Sequence, residues 1–330
     1  MRLERVMRPL SSTLLFACAM LAMPSNAGAQ GSYPDKPIRM IVPQAPGSAT
    51  DNVARVFAAA LGPELGQTII IENKPGAAFT IGLDLVAKAA PDGYTLGVGP
   101  VGALAISPNM VAKLPFSVEK DFQPIMVIAR GHLLVVVAPS SPIQSLKDLI
   151  DAGKKNPGTL TNASSASGSP GHVGAELFKS MAGIDAVHVP YRGGATATTD
   201  LIAGRVSFMF ESLNSLSPHV RSGAVRGLAV SGDKRSINFP DIPTVAEAGV
   251  PGYSAPTWTG LIGPAGMPKA IVDKINAAAN RVLATPAFRE RFAAVGDELA
   301  GGTPEEFGAT IKNDLAKWKD VVQRSGAKLE

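Results

Sequence analysis

Ile38-Arg39-Met40-Ile41-Val42-Pro43-Gln44-Ala45-Pro46-Gly47-Ser48-Ala49-Thr50-Asp51 is the stretch from which the fold is read. Ile38 to Val42 is a short β-prone run, and Pro43, Pro46 and Gly47 end it and turn the chain. Beyond the turn, Val53, Val56, Phe57, Ala60 and Leu61 fall on one face of a helix, and Ser48 or Thr50 stands where a cap is needed. Strand, short loop and helix form the repeating half-unit of an α/β fold. A Gly/Ser/Thr loop that opens a helix also offers backbone N–H groups and the positive helix end to an anion, although ordinary capping explains the same residues.

The same grammar continues along the chain. Thr68 to Glu72 reads as a strand, Ile81 to Ala89 as a helix and Tyr94 to Val98 as a strand, with Pro91-Asp92-Gly93 turning between the last two. Leu133 to Val137 is a continuous apolar run of the kind expected for a buried parallel strand. Ser145 caps a helix to Lys155, which Asn156-Pro157-Gly158 stops. Helices are expected at His172 to Met181 and Thr196 to Ala203, and strands at Ala186 to Val189, Val206 to Phe210 and Leu228 to Val230. From Pro268 onward the pattern is helical, with Pro268, Pro286 and Pro304 at first-turn positions and Phe307, Ile311, Leu315 and Trp318 on one face. Such alternation implies an α/β chain with mostly parallel sheets flanked by helices, whose ligands bind beyond the carboxyl ends of the strands.

The 330 residues suit two domains, and 45% hydrophobic with 18% charged residues suits a chain with a sizeable core. Residues 1–29 read as a cleaved signal peptide. Arg2, Arg5 and Arg8 precede an apolar Leu10 to Met23, and Ala27-Gly28-Ala29 offers the small residues of a cleavage site. Leu15-Phe16-Ala17-Cys18 only loosely resembles a lipoprotein box, because Phe16 is bulky and the apolar run continues past Cys18, the one cysteine of the chain. Cleavage after Ala29 lowers the net charge from +4 to +2 and leaves no thiol, so a disulfide-free periplasmic protein is expected. No polybasic tract accompanies the net positive charge, which excludes nucleic acid as a partner.

Enzyme signatures fail. Gly97-Val98-Gly99-Pro100-Val101-Gly102 has dinucleotide glycine spacing, but it follows the third strand rather than the first, and Pro108 interrupts any helix after it. There is no phosphate loop or nucleophile elbow. His132, His172, His188 and His219 show no metal-ligand spacing. Neither cofactor nor metal is expected, and a secreted α/β hydrolase is the weaker alternative.

Four loops before helices carry the remaining information: Val42 to Asp51, Glu72 to Gly82, Ala163 to His172 and His188 to Gly194. Taken in order they resemble the Bug family, the receptors of tripartite tricarboxylate transporters. Ala90-Pro91-Asp92-Gly93-Tyr94, Ile242-Pro243-Thr244-Val245-Ala246-Glu247-Ala248-Gly249 and Gly302-Thr303-Pro304-Glu305 extend the likeness over Tyr33 to Glu330. The resemblance implies a two-lobed periplasmic-binding-protein fold of the Venus-flytrap kind, with residues 30–130 and 253–330 as lobe 1 and residues 131–252 as lobe 2. It implies a monomeric receptor that binds a small organic carboxylate and serves integral membrane subunits of a transporter. A sensing role toward a membrane partner needs the same closure and stays open.

The resemblance also implies the site. Gln44, Gly47, Ser48, Ala49, Thr50 and Asp51 would hold the carboxylate, with Asp51 orienting the loop rather than touching the anion. Ala78, Phe79, Val101, Gly102, Ser164, Ser165 and Ser167 would face the same cleft. Glu211 ends a strand and is a candidate for the second lobe's wall. Arg192 reads either as a bidentate carboxylate partner or as an exposed surface arginine. The chain departs from the family at Ala49, where a Gly-Gly-Ser-Thr-Asp motif becomes Gly47-Ser48-Ala49-Thr50-Asp51. It departs again at Ala78 and Phe79, which replace small residues, and at Pro100 and Val101, which replace hydroxyls. Anion capture survives these changes; the identity of the cargo is left open.

Overall fold

The computed structural model describes residues 33–293 and 297–325. The expected leader, its cleavage site after Ala29 and Cys18 lie outside the described residues.

Strand β1 (Ile38–Val42) lies inside a six-stranded sheet, between β2 (Ile69–Asn73) and β3 (Thr95–Pro100) and parallel to both. Its side chains are buried except Arg39, which pairs with Glu72 of β2 at 2.7 Å. Helix α1 (Ala49–Leu65) joins β1 to β2, and α2 (Thr80–Ala87) precedes β3. Three further strands, β4 (Phe122–Gly131), β10 (Thr257–Pro264) and β11 (Glu298–Gly301), complete the order β11-β4-β10-β3-β1-β2 through antiparallel pairings.

The second sheet has the order β7-β6-β8-β5-β9, formed by β5 (Leu133–Val137), β6 (Leu160–Ser164), β7 (Ala186–Pro190), β8 (Phe208–Ser212) and β9 (Arg226–Val230). Helices α3 (Leu146–Lys155), α4 (Pro170–Ala182), α5 (Gly194–Ile202) and α6 (Leu213–Arg221) connect these strands. The expected cap of α3 is a full capping box, in which Ser145 and Asp148 each bond the other's backbone N–H. The chain passes from the first sheet to the second at His132 and returns between Val230 and Thr257. It ends in α7 (Lys269–Ala284), α8 (Pro286–Ala293) and α9 (Pro304–Ser325).

The α/β reading holds, but the expectation of mostly parallel sheets is corrected, because both sheets are mixed. Leu133 to Val137 is buried as expected, yet β5 runs antiparallel to both β8 and β9. Cover on both faces makes a strand uniformly apolar, whichever way its neighbours run. Strands β4, β6, β10 and β11 and helix α6 were not legible. β10 contains Gly260, Gly263 and Pro264, poor strand formers by composition. Tertiary packing demands one of them: a Cβ on Gly260 would lie 2.0 Å from the Phe307 ring.

One apolar cluster runs from Ile41 and Leu83 beside the first sheet through Leu133, Phe178, Phe210 and Tyr253 to Trp258 and Phe307. It therefore joins the two sheets rather than serving one of them. Helix α9 takes part from its own apolar face, with Phe307, Ile311 and Trp318 buried and Asp314 accepting the Trp258 indole N–H. Separate clusters lie between the first sheet and α1 and α7, and between the second sheet and α5 and α6.

Candidate functional site

The loop after β1 is held by its own helix. Ser48, not Thr50, caps α1: its hydroxyl accepts the Asp51 N–H at 3.2 Å. Asp51 is buried, and its Oδ2 accepts the Gly47 N–H at 2.8 Å and the Arg55 Nε–H at 2.9 Å. Its Oδ1 accepts from Asn73 Nδ2 at 2.8 Å, and the same amide group donates to the Gln44 carbonyl. Burial works against ionisation of Asp51, but Arg55, Asn73 and the Gly47 amide outweigh it, and the carboxyl is held below its ordinary value. The Gly47 N–H is thus turned inward. Ala49 and Thr50, at the first two helical positions, have N–H groups for which the helix itself has no acceptor. Gly47 has φ +79, and a Cβ built there meets nothing within 4 Å.

The loop before α2 is strained. Ala77, Ala78 and Phe79 have φ of 46, 51 and 73, all in the left-handed region. Each costs about 1 kcal/mol or more, a kind of strain that gathers at ligand clamps and switch regions. Phe79 occupies the N-cap of α2 without any side-chain cap bond. Its ring packs at the edge of the shared core, with Cε2 3.4 Å from where a Gly102 Cβ would stand; Pro170 of α4 comes to 3.2 Å of the same point. Loops of the two sheets therefore meet at Gly102. Val101 is buried, and a π-helical turn, Gly102–Ile106, follows it. The expectation that Pro108 prevents a regular helix agrees with the short 3-10 turn Ser107–Asn109.

On the second sheet, Ser164 at the carboxyl end of β6 meets His188 in the middle of its parallel neighbour β7. Ser164 Oγ donates to the Ala166 carbonyl at 3.0 Å and so accepts from His188 Nε2 at 2.7 Å. His172 Nδ1 accepts the Gly168 N–H at 3.0 Å. The two rings stack with centroids 3.8 Å apart and planes 4° from parallel. Burial lowers both pKa values, to about 3 for His172 and about 4 for His188, so a neutral pair supports the serine loop from beneath. The sequence spacing of the histidines hid this contact; the β6–α4–β7 crossover creates it.

Ser165 and Ser167 are half-buried on that loop, and the Ser165 carbonyl accepts the Gly193 N–H at 2.9 Å. Glu211 faces the start of α5: its Oε2 lies 3.1 Å from where a Gly194 Cβ would be, while Oε1 accepts the Ser212 N–H. Burial raises its pKa, against the opposing pull of the Ser212 N–H and the Ser165 hydroxyl. Arg192 is exposed and forms no ion pair among the described residues. The buried polar atoms without a hydrogen-bond partner include Gln44 Oε1, in the loop after β1, and Thr80 Oγ1, at the first residue of α2. Such orphans are rare in folded interiors and call for a partner.

The structure thus joins Gln44 to Asp51 in one network, Phe79 and Gly102 in another contact, and Ser164, Ser165 and Glu211 around the second sheet's edge; it leaves Arg192 apart. Asn73, Thr80, Pro170 and the histidine pair escaped sequence reasoning. Asn73 alone carried a usable signal, a polar residue ending an apolar strand. Two surface cavities lie elsewhere, one lined by Leu177, Met181 and Lys317 and one by Phe292, Asp297 and Leu299.

Residues 53–327 match the family model described as tripartite tricarboxylate transporter family receptor. The chain is 36% identical over 318 residues to Protein BugT of Bordetella pertussis, covering 96% of this chain and 97% of that protein. It is similar to R. palustris Rpa4515 with adipate, at TM-score 0.85 and 34% identity over 90% of this chain and 100% of the other. It is also similar to MatC (Rpa3494) from Rhodopseudomonas palustris with bound malate, at TM-score 0.81 and 32% identity over 88% of this chain and 100% of the other.

Proposed function

This chain belongs to the tripartite tricarboxylate transporter receptor family, and on that premise we propose how it captures its cargo. The protein is a solute-binding receptor for a small carboxylate. The adipate and malate held by its relatives define the ligand class.

The observation that carries the reading is the clamp of Asp51 on Gly47. By taking the Gly47 N–H inward, Asp51 sets the loop so that the Ala49 and Thr50 N–H groups and the positive end of α1 meet the carboxylate. The helix dipole adds about 0.3–1 kcal/mol at such an exposed end. No lysine or arginine stands between Gln44 and Asp51, so backbone donors and short hydroxyls carry the anion. Ser165 and Ser167 approach from the second lobe. In this reading lobe 1 is residues 30–130 and 253–330, lobe 2 is residues 131–252, and closure turns on the crossings at His132 and between Val230 and Thr257. The cargo leaves unchanged and passes to integral membrane subunits; the receptor itself is exported to the periplasm with its leader removed.

Titration calorimetry of the purified protein against adipate, malate and a panel of monocarboxylates tests this. Binding of at least one is expected, with compaction in small-angle scattering and an unaltered ligand by mass spectrometry. Binding of none would sink the receptor reading; turnover would replace it with an enzyme.

A further inference from the structure

We propose that Asp297 and Asn214 form a clasp across the crossing at Gly131 and His132, that it holds the two lobes in the arrangement of this structure, and that it makes carboxylate affinity rise as the medium is acidified. The inference rests on the receptor reading and its two lobes, and it adds a control on closure that lies outside the carboxylate loops.

Asn214 belongs to α6 of the second sheet, and Asp297 stands just before β11 of the first. Asn214 Nδ2 donates to Asp297 Oδ2 at 3.0 Å, and Asn214 itself is buried. The crossing runs between the two. Leu213, the first residue of α6, donates its N–H to the His132 carbonyl at 2.9 Å, while Glu298, the first residue of β11, is in register with Arg130. A Cβ on Gly131 would collide with Asp297 Oδ1, so the carboxyl group packs directly against the crossing backbone. A turn of one lobe about this crossing therefore strains or breaks the bond. Asp297 also lines a surface cavity of about 550 Å³ with walls from both sides: Ile237 comes from the second lobe, Leu283 and Phe292 from the first. Parting of the lobes at this cavity lets water reach the carboxyl group.

The groups around Asp297 do little to compensate a charge there. Asn214 and Thr257 are neutral, and Glu298 adds like charge. His132 of the crossing lies 3.8 Å by Nε2 from Glu298 Oε1, and burial lowers its pKa despite Glu298 and Asp233. Arg130 of β4 is exposed, and Arg289 of α8, on the cavity wall, gives its Nε–H to the Leu283 carbonyl at 3.2 Å. Burial and Glu298 raise the Asp297 carboxyl to about 6, against the pull of Asn214. Ionisation thus works against the clasped arrangement and favours one that wets the carboxyl group. The clasped arrangement is also the one in which Gly102, from the loops of the first sheet, meets Pro170 of α4. Protonation of Asp297 and capture of a carboxylate favour the same arrangement, so each strengthens the other.

The test titrates adipate and malate by calorimetry into the purified protein, Asp297→Asn and Asn214→Ala, on both sides of that value, at about pH 7.5 and about pH 5.5. Asparagine keeps the acceptor and mimics the neutral acid. Asp297→Asn is expected to bind about threefold tighter than the wild type, or more, at the higher pH, and the two are expected to converge at the lower. Protonation of the cargo and of the site is common to both proteins, so their ratio isolates Asp297. Asn214→Ala, which removes the donor, should bind more weakly at both pH values. A ratio of wild type to Asp297→Asn that does not change with pH overturns the proposal, and so does tighter binding by the wild type at the higher pH. Small-angle scattering of the unliganded wild type needs no variant: a smaller radius of gyration at the lower pH is expected, and a larger one overturns the proposal. If neither adipate nor malate binds at either pH, the receptor reading falls, while scattering still judges the clasp.

Discussion

The Gly47 N–H donates to Asp51 Oδ2 at 2.8 Å, which ties the loop after β1 to the first turn of the helix it opens. Arg55 and Asn73 hold the same carboxylate from the other side, so one buried anion organises the loop, the helix and the end of β2. A buried anion is tolerable there because its hydrogen bonds are charge-assisted and both of its oxygens are used.

Asp51→Asn removes the charge while keeping the size. Arg55 then loses its anion, and one of the amide donors to the carboxylate faces an NH2 group instead. Stability should fall by about 1–3 kcal/mol, the cost of unsatisfied buried partners. Carboxylate binding should weaken at least about tenfold, or about 1.4 kcal/mol. Denaturant midpoints and calorimetry read the two separately. Wild-type stability from Asp51 is fully present above the ordinary carboxylate pKa and is lost as pH falls through its lowered folded value.

Gly47→Val and Arg192→Gln should differ. A Cβ at Gly47 meets no protein atom within 4 Å, so valine points into open space beside the loop, where the proposed cargo would approach. Its φ of +79 adds a conformational cost of about 1 kcal/mol. Binding should drop about tenfold or more. Arg192 is exposed and unpaired among the described residues, so its replacement should change affinity by less than about threefold, as rim charges do. If Arg192→Gln abolishes binding and Gly47→Val does not, a salt-bridge clamp replaces the helix-terminus mechanism.

The stacked histidines predict a pH slope. Their folded pKa values, about 3 and about 4, lie below the ordinary 6.5, so the unfolded chain takes up protons that the folded one refuses. Their contribution to stability is whole above pH 6.5 and falls as pH drops toward 4. Asp297 acts in the opposite sense: burial raises it to about 6, so it adds stability as pH falls through that value. Subtracting the pH profile of the His172→Gln, His188→Gln double variant from that of the wild type isolates the histidines. A difference that stays flat between pH 6.5 and 5 contradicts the assignment.

Gly171→Ala should be among the costly single changes in α4. Its Cβ would lie 2.1 Å from the Phe210 carbonyl oxygen, so helix and strand must part. A loss of about 3 kcal/mol, the upper range for overpacking, is expected as a lower urea midpoint at unchanged slope. Gly183→Ala, at φ +65 with open space around it, should cost only about 1 kcal/mol.

Local chemistry was written in the chain. Ser145 was readable as a cap and Ser48 as one of two candidates with Thr50, because a cap depends on residues three positions apart. The strand-to-helix loops were readable as helix starts with free N–H groups, because a helix start has them whatever it packs against. Order and spacing of those loops were enough to indicate the family. Tertiary structure alone decided the rest. Strand direction in β5 follows from which neighbours it meets, and an apolar run looks the same either way. β10 carries a glycine at position 260 because Phe307, distant in sequence, needs the space. His172 and His188 stack because the β6–α4–β7 crossover lays the first turn of α4 beside the parallel strand β7. Phe79 departs from the family's small residues in the sequence, but only its left-handed backbone and its meeting with Gly102 and Pro170 give that departure a physical meaning, since both depend on contacts between loops far apart in the chain.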